Sequence, residues 1–205
     1  MKKNLKIGVL ALQGAFIEHV KMLQGIGVEV REIRLPEDLV EVDGLIIPGG
    51  ESTAIGKLMI RWSLIEPIKE MVAQGKPVWG TCAGMILLAK DIGGLDQPLL
   101  GLMDIKVKRN AFGSQLDSFE TNLEIKGLGE IPFHAVFIRA PFIETVDESK
   151  GVEILSTLPN SRAAGLDEGK VAIVVARQGN LLATAFHPEL TNDPRFHQLF
   201  LSMME

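Results

Sequence analysis

The chain has 205 residues, 46% of them hydrophobic and 23% charged, with a formal net charge of −5 and a pI near 5.5. An acidic balance of this kind argues against a nucleic-acid partner or an anionic membrane surface, since both select a concentrated basic face. No apolar run approaches the roughly 18 residues that a bilayer span needs, so the expected partner is a protein or a small molecule.

In chain order, two lysines and a short apolar run lead quickly to Gln13, Glu18 and His19, which reads as a first strand over residues 6–12 and not as a signal peptide. Gln13-Gly14 forms a turn, and a helix is expected over 15–24, ended by Gly25 or Gly27. Residues 28–34 alternate like a strand near an edge, and 45–47 is a buried strand closed by Pro48-Gly49-Gly50-Glu51-Ser52-Thr53. A helix with apolar spacing Ile55, Leu58, Met59 follows, with Ser52 or Thr53 as its cap, and then a second helix over 64–73. Strands alternating with helices predict an α/β fold, with a mostly parallel central sheet and right-handed crossovers. From about Gly101 the pattern changes to short strand-like runs at 105–108, 122–126, 135–139, 153–155, 171–176 and 181–186, expected as a mixed extension of that sheet. Residues 160–170 read as an exposed turn, and 194–204 as a closing helix. With no repeat or linker, 1–205 reads as one domain.

The stretch that organises this pattern is Gly80-Thr81-Cys82-Ala83-Gly84, which carries the only cysteine. One cysteine forms no internal disulfide, so nothing requires an oxidising compartment and the cytoplasm is the expected location. G-x-C-x-G is a form of the nucleophile elbow, a strand-to-helix turn that exposes a nucleophile beside free backbone N–H groups. The positive end of the helix dipole there favours the thiolate. Buried structural cysteines are common, so the alternative of an inert thiol behind a strand stands beside this one.

A nucleophilic thiol wants a histidine base, and the base wants an orienting group. Four histidines are available. His19, His134 and His197 lack a turn or glycine context and read as surface or partly buried structural residues. His187 ends an apolar strand and opens His187-Pro188-Glu189, with a proline that restrains the carboxylate next to the imidazole. Ala83 N–H is one oxyanion donor by the geometry of the elbow, and Gly50 is a candidate for the second. A phosphate loop is rejected, because Gly50 to Gly56 holds one residue too many and Leu58 stands where Ser or Thr belongs. The few Cys and His residues indicate neither a metal site nor a cofactor.

The elbow with a distant His187-Pro188-Glu189 resembles the class I, triad glutamine amidotransferases. Five motifs sharpen this, namely Gly8 to Gly14 with Glu18-His19, Pro48 to Thr53, Arg109 to Gly113, Phe137 to Pro141 and Ala185 to Leu190. Together they resemble the glutaminase subunits of pyridoxal 5′-phosphate synthase over nearly the whole chain, although 161–170 looks longer than that family requires. The resemblance implies a flavodoxin-like three-layer fold with helices on both faces of the sheet. It also implies L-glutamine as substrate, Cys82 as nucleophile, His187 as base and acid, and Glu189 as its orienting group. Gly50, Glu51 and Ser52 would hold glutamine, Gly50 and Ala83 would form the oxyanion hole, and Arg109, Ile138 and Arg139 would line the pocket. For Arg109 and Arg139, plain surface ion pairs are the alternative. Gln13 is assigned either to the oxyanion region or to a partner surface. The implied partner is the synthase subunit, which receives the ammonia. Two other readings remain open: a glutaminase subunit of histidine or purine biosynthesis, and an elbow-cysteine protein of the same fold that is no amidotransferase.

Overall fold

Strands with no polar alternation must be covered on both faces, and β1 (Lys6–Leu10), β3 (Gly44–Ile47) and β4 (Val78–Thr81) are buried almost throughout. The computed structural model describes residues 5–109, 118–158 and 171–204. In it, β2 (Glu29–Ile33), β1, β3, β4 and β12 (Leu181–Thr184) lie side by side in that order, all parallel. This is the flavodoxin-like order, and its connections reverse direction between β1 and β3, where such sheets bind ligands at the carboxyl ends of the strands.

Beyond β12 the sheet turns mixed. The strand β11 (Ile173–Gln178) is antiparallel to β12, to β10 (Val152–Thr157) and to β9 (Phe142–Val146); β9 in turn pairs antiparallel with β6 (Met103–Lys108), and β6 parallel with β5 (Ala89–Asp91). A separate antiparallel ribbon joins β7 (Ser118–Leu123) to β8 (Phe133–Ile138). The expected strand at 122–126 thus starts earlier, while β5 and β9 carry too short or too interrupted an apolar pattern to be foreseen. Residues 160–170 and motif residues 110–113 lie outside the described residues, as does the extra length at 161–170.

Helices cover both faces, as neighbouring side chains of β4 make plain. Successive strand residues point to opposite sides. Trp79 stacks on Phe196 and tilts against Phe200, both on α5 (Arg195–Ser202), and meets His19 on α1 (Phe16–Gly25) edge to face. On the other side, a Cβ on Gly80 would collide with the Gly84 backbone of α4 (Ala83–Leu88). The remaining helices are α2 (Ser52–Arg61) and α3 (Ile65–Ala73).

Candidate active site

Cys82 occupies the turn between β4 and α4 with φ 48° and ψ −102°. A side chain-bearing residue holds such a backbone only when its surroundings over-determine it. Here they do. The Cys82 amide donates to Thr184 O of β12 at 2.8 Å, and Gly84 is pressed so closely on the Ile47 carbonyl that a Cβ there would overlap it. The two glycines of the motif therefore let α4 start directly against β3 and β4, which leaves Cys82 7% exposed at the sheet's carboxyl edge.

His187 follows β12, the neighbouring strand. Its amide donates to Val136 O at 2.9 Å, which ties the β7–β8 ribbon to the site. The ring lies beside the Cys82 side chain, and its Nδ1 donates to Glu189 Oε1 at 2.7 Å. A 3₁₀ turn over Pro188–Leu190 brings Glu189 back beside the ring two residues away. Burial by itself would lower the His187 pKa, but Cys82 and Glu189 beside the ring outweigh it and push the imidazole up to about 10. Burial likewise favours a neutral Glu189, yet His19 and His187 beside it hold the carboxyl below the usual range. The result is a buried Cys–His–Glu chain with a charged acceptor at its far end.

The glycine turn after β3 completes one wall. Gly49 faces the His187 ring and Cys82 Cβ, its carbonyl accepts from Ala15 N at 2.9 Å, and Gln13 Oε1 accepts from Glu51 N at 2.8 Å. Gln13 thereby fastens the turn that carries Gly50, on the side of the oxyanion candidates. The α2 cap differs from expectation. Glu51, not Ser52 or Thr53, caps the helix, accepting from Thr53 N and Ala54 N at 3.1 and 2.6 Å, because its longer carboxylate reaches both free amides. Ser52 and Thr53 instead donate their hydroxyls to Gln97 Oε1, each at 3.1 Å. Arg109 joins them, with Nη1 2.7 Å from Gln97 Oε1 and Nη2 3.3 Å from Glu51 Oε1. Gly50, Glu51, Ser52 and Arg109 thus stand together at the start of α2. Ile138, 41% exposed, and Arg139, with φ 45°, close β8 two and three residues past the carbonyl that anchors His187. Among the described residues, no three His, Cys, Asp or Glu side chains gather as a metal site, and no helix is long and apolar enough to cross a membrane.

Three residues without an assigned role prove to belong here. Gln97 lies in a loop with no periodic signal. His19 and His197 are fully buried where surface or partly buried structural positions were expected, and His19 Nε2 stands 3.4 Å from Glu189 Oε2. Their signal was present in the helical spacing. His19 falls on the inward stripe of Phe16, Val20 and Leu23, and His197 on that of Phe196 and Phe200.

The chain is similar to known proteins along nearly its whole length. Residues 9–205 match the SNO glutamine amidotransferase family. The chain is 63% identical over 202 residues to pyridoxal 5′-phosphate synthase subunit PdxT of Herpetosiphon aurantiacus, covering 97% of this chain and all of that one. It is 57% identical over 200 residues to the protein of the same name from Moorella thermoacetica, covering 98% and 100%. A crystal structure of a glutamine amidotransferase superposes with a TM-score of 0.86 at 46% identity, over 97% of this chain and 98% of that one. The structure of PurLQS from Thermotoga maritima has a TM-score of 0.73 at 16% identity, over 99% and 100%, and shares the fold.

Proposed function

Because this chain belongs to the SNO glutamine amidotransferase family, we propose that it is the glutaminase subunit of a pyridoxal 5′-phosphate synthase, with residues 1–205 acting as one domain. The observation that carries the chemistry is Cys82 on an elbow beside His187, whose ring is hydrogen-bonded to Glu189. Relatives more than half identical along their full length bear that subunit's name, whereas the likeness to PurLQS, at 16% identity, is one of fold.

In this reading the Cys82 sulfur attacks the side-chain carboxamide carbon of L-glutamine while His187 holds the thiol proton. The tetrahedral oxyanion takes hydrogen bonds from the Gly50 and Ala83 amides. Its collapse breaks the C–N bond as His187 passes its proton to nitrogen, and ammonia leaves. Water, deprotonated by His187, then cleaves the glutamyl thioester to glutamate and restores the thiol. Glu189 holds the imidazole in the tautomer that makes both transfers possible. Gly50, Glu51 and Ser52 hold the substrate, and Ile138 and Arg139 line its pocket. Arg109, whose fork suits a carboxylate, takes the α-carboxylate by exchanging part of its contact with Glu51.

Ammonia set free in water is largely protonated and no longer nucleophilic, so the product is useful only if a synthase subunit docks over the site and receives it. A reducing compartment such as the cytoplasm suits an enzyme whose one thiol must stay free. The test is ammonia release from L-glutamine by the chain together with its synthase subunit. Loss of release in Cys82→Ala supports the reading, and release at the wild-type rate refutes it.

A further inference from the structure

Behind Glu189, on the side away from His187, lies a buried polar chain that the reaction scheme leaves unused. Glu189 Oε1 is taken by His187. Its other oxygen, Oε2, is buried and makes no hydrogen bond of normal geometry among the described residues, although His19 Nε2 stands 3.4 Å away. His19 Nε2 also lies 3.3 Å from Thr81 Oγ1, and His19 Nδ1 lies 2.9 Å from His197 Nε2. The remaining nitrogen, His197 Nδ1, is buried without a partner among the described residues. Trp79 seals the pair, edge to face with both rings at 5.5 and 5.0 Å.

Proton placement along this chain has two neutral solutions, and they differ in cost. If His19 carried its proton on Nδ1, its Nε2 lone pair would stand 3.4 Å from a carboxylate oxygen with only the Thr81 hydroxyl to donate to it, and His197 would be left with a buried N–H that has no partner among the described residues. If His197 donates from Nε2 to His19 Nδ1, then His19 carries its proton on Nε2, facing Glu189, and the atom left over at His197 is a bare acceptor. Unmet buried donors and facing lone pairs are the expensive cases. A third solution, His19 as imidazolium, is opposed by complete burial, which lowers the His19 pKa despite the Glu189 charge; burial and then His19 itself lower that of His197 to about 2. The charged or titratable groups that bear on His19 are Glu189, His187 and His197 from other elements and Glu18 on its own helix.

We propose that His19 is the positioning residue of the triad, a neutral imidazole protonated on Nε2 that holds Glu189 Oε2, so that Oε1 stays on His187. Thr81, next to the nucleophile, and the His19–His197–Trp79 cluster make the device rigid, because each ring is fixed by packing as well as by a hydrogen bond. The role rests on Cys82, His187 and Glu189 being the reacting groups.

Nitrogen-15 NMR of the histidines in the wild-type chain tests this directly. The expected result is a neutral His19 protonated on Nε2; an Nδ1-protonated ring or an imidazolium overturns the proposal. In the presence of the synthase subunit, His19→Leu should lower kcat about tenfold to a hundredfold with KM for glutamine unchanged, and move the His187 titration down by about one pH unit. His19→Gln, whose amide nitrogen falls where Nε2 was, should restore both. A His19→Leu protein that melts normally and keeps wild-type kcat and His187 titration sinks the proposal, as does a folded His19→Gln no better than His19→Leu. Should His19→Leu fail to fold, the wild-type tautomer and His19→Gln still decide. Failure of the triad itself looks different: Cys82→Ala would still release ammonia, whatever the tautomer of His19.

Discussion

Gly49 lies face to face with the His187 imidazole: a methyl group on Gly49 would overlap Cε1 of that ring and come within 3.0 Å of Nδ1, the atom that donates to Glu189. Backbone and base are therefore built as one piece. Gly49→Ala should leave the fold in place but push the ring off Cys82 or Glu189. We expect kcat to fall by about a hundredfold with a melting temperature within a few degrees of wild type. Steady-state glutaminase assays beside a thermal melt check this, and near-normal turnover would show that the wall has room to move.

Gly84 makes the complementary case, because its missing Cβ is filled by the Ile47 carbonyl of β3 and not by a movable side chain. Gly84→Ala should be chiefly a stability mutation, at a cost of roughly 1–3 kcal/mol from overpacking. Urea unfolding reads it as a lower midpoint. An unchanged midpoint would mean that α4 can slide away from the sheet.

The buried histidines predict acid lability. Burial depresses His19 and His197, the latter to about 2, whereas an unfolded histidine titrates near its ordinary value of about 6.5. Between the two His197 values the unfolded state binds the extra proton, so the contribution of that ring to stability is complete above about pH 6.5 and declines as pH falls, by roughly 1.4 kcal/mol per pH unit, and the depressed His19 acts in the same direction. Replacing His197 by Phe removes one of the two titrations and should flatten the acid side of a stability-against-pH curve. A His197→Phe curve parallel to wild type between pH 4 and 6, roughly the window set by these values, would contradict this.

Arg109 bridges Gln97 and Glu51 through two separate nitrogens. Lysine keeps the charge and loses that fork. Arg109→Lys should raise KM for glutamine about tenfold and leave kcat within a factor of about two, the pattern of lost substrate binding without lost transition-state contacts. A drop in kcat with KM unchanged would instead make Arg109 part of the reacting geometry.

Much of this arrangement was legible in residues 1–100, where apolar runs, glycine turns and helical spacing alternate in a way that few folds accept, and where the elbow around Cys82 and the Pro48 to Thr53 turn both end parallel strands. The second half was less so. The strand β9 opens next to Pro141 and has one fully apolar pair, Phe142-Ile143, so its partners in β6 and β11 define it more than its own pattern does. Glu51 as the α2 cap could not be separated from Ser52 and Thr53 by residue type, because the outcome turns on Gln97 claiming both hydroxyls from a distant loop. The role of His19 is hidden in the sequence for a related reason. A polar residue on a helix's inward stripe signals burial, but only the fold shows that Glu189 is what it meets.

In the proposed function, Cys82 turns glutamine into ammonia for use by a synthase subunit. Its most direct test is pyridoxal 5′-phosphate formation by the chain and that subunit together, with either L-glutamine or an ammonium salt as the nitrogen source. Wild type should work with both, whereas Cys82→Ala and His187→Asn should fail with glutamine and work normally with ammonium. Glutamine-supported formation by Cys82→Ala, or failure of glutamine to support the wild-type pair, would contradict the account.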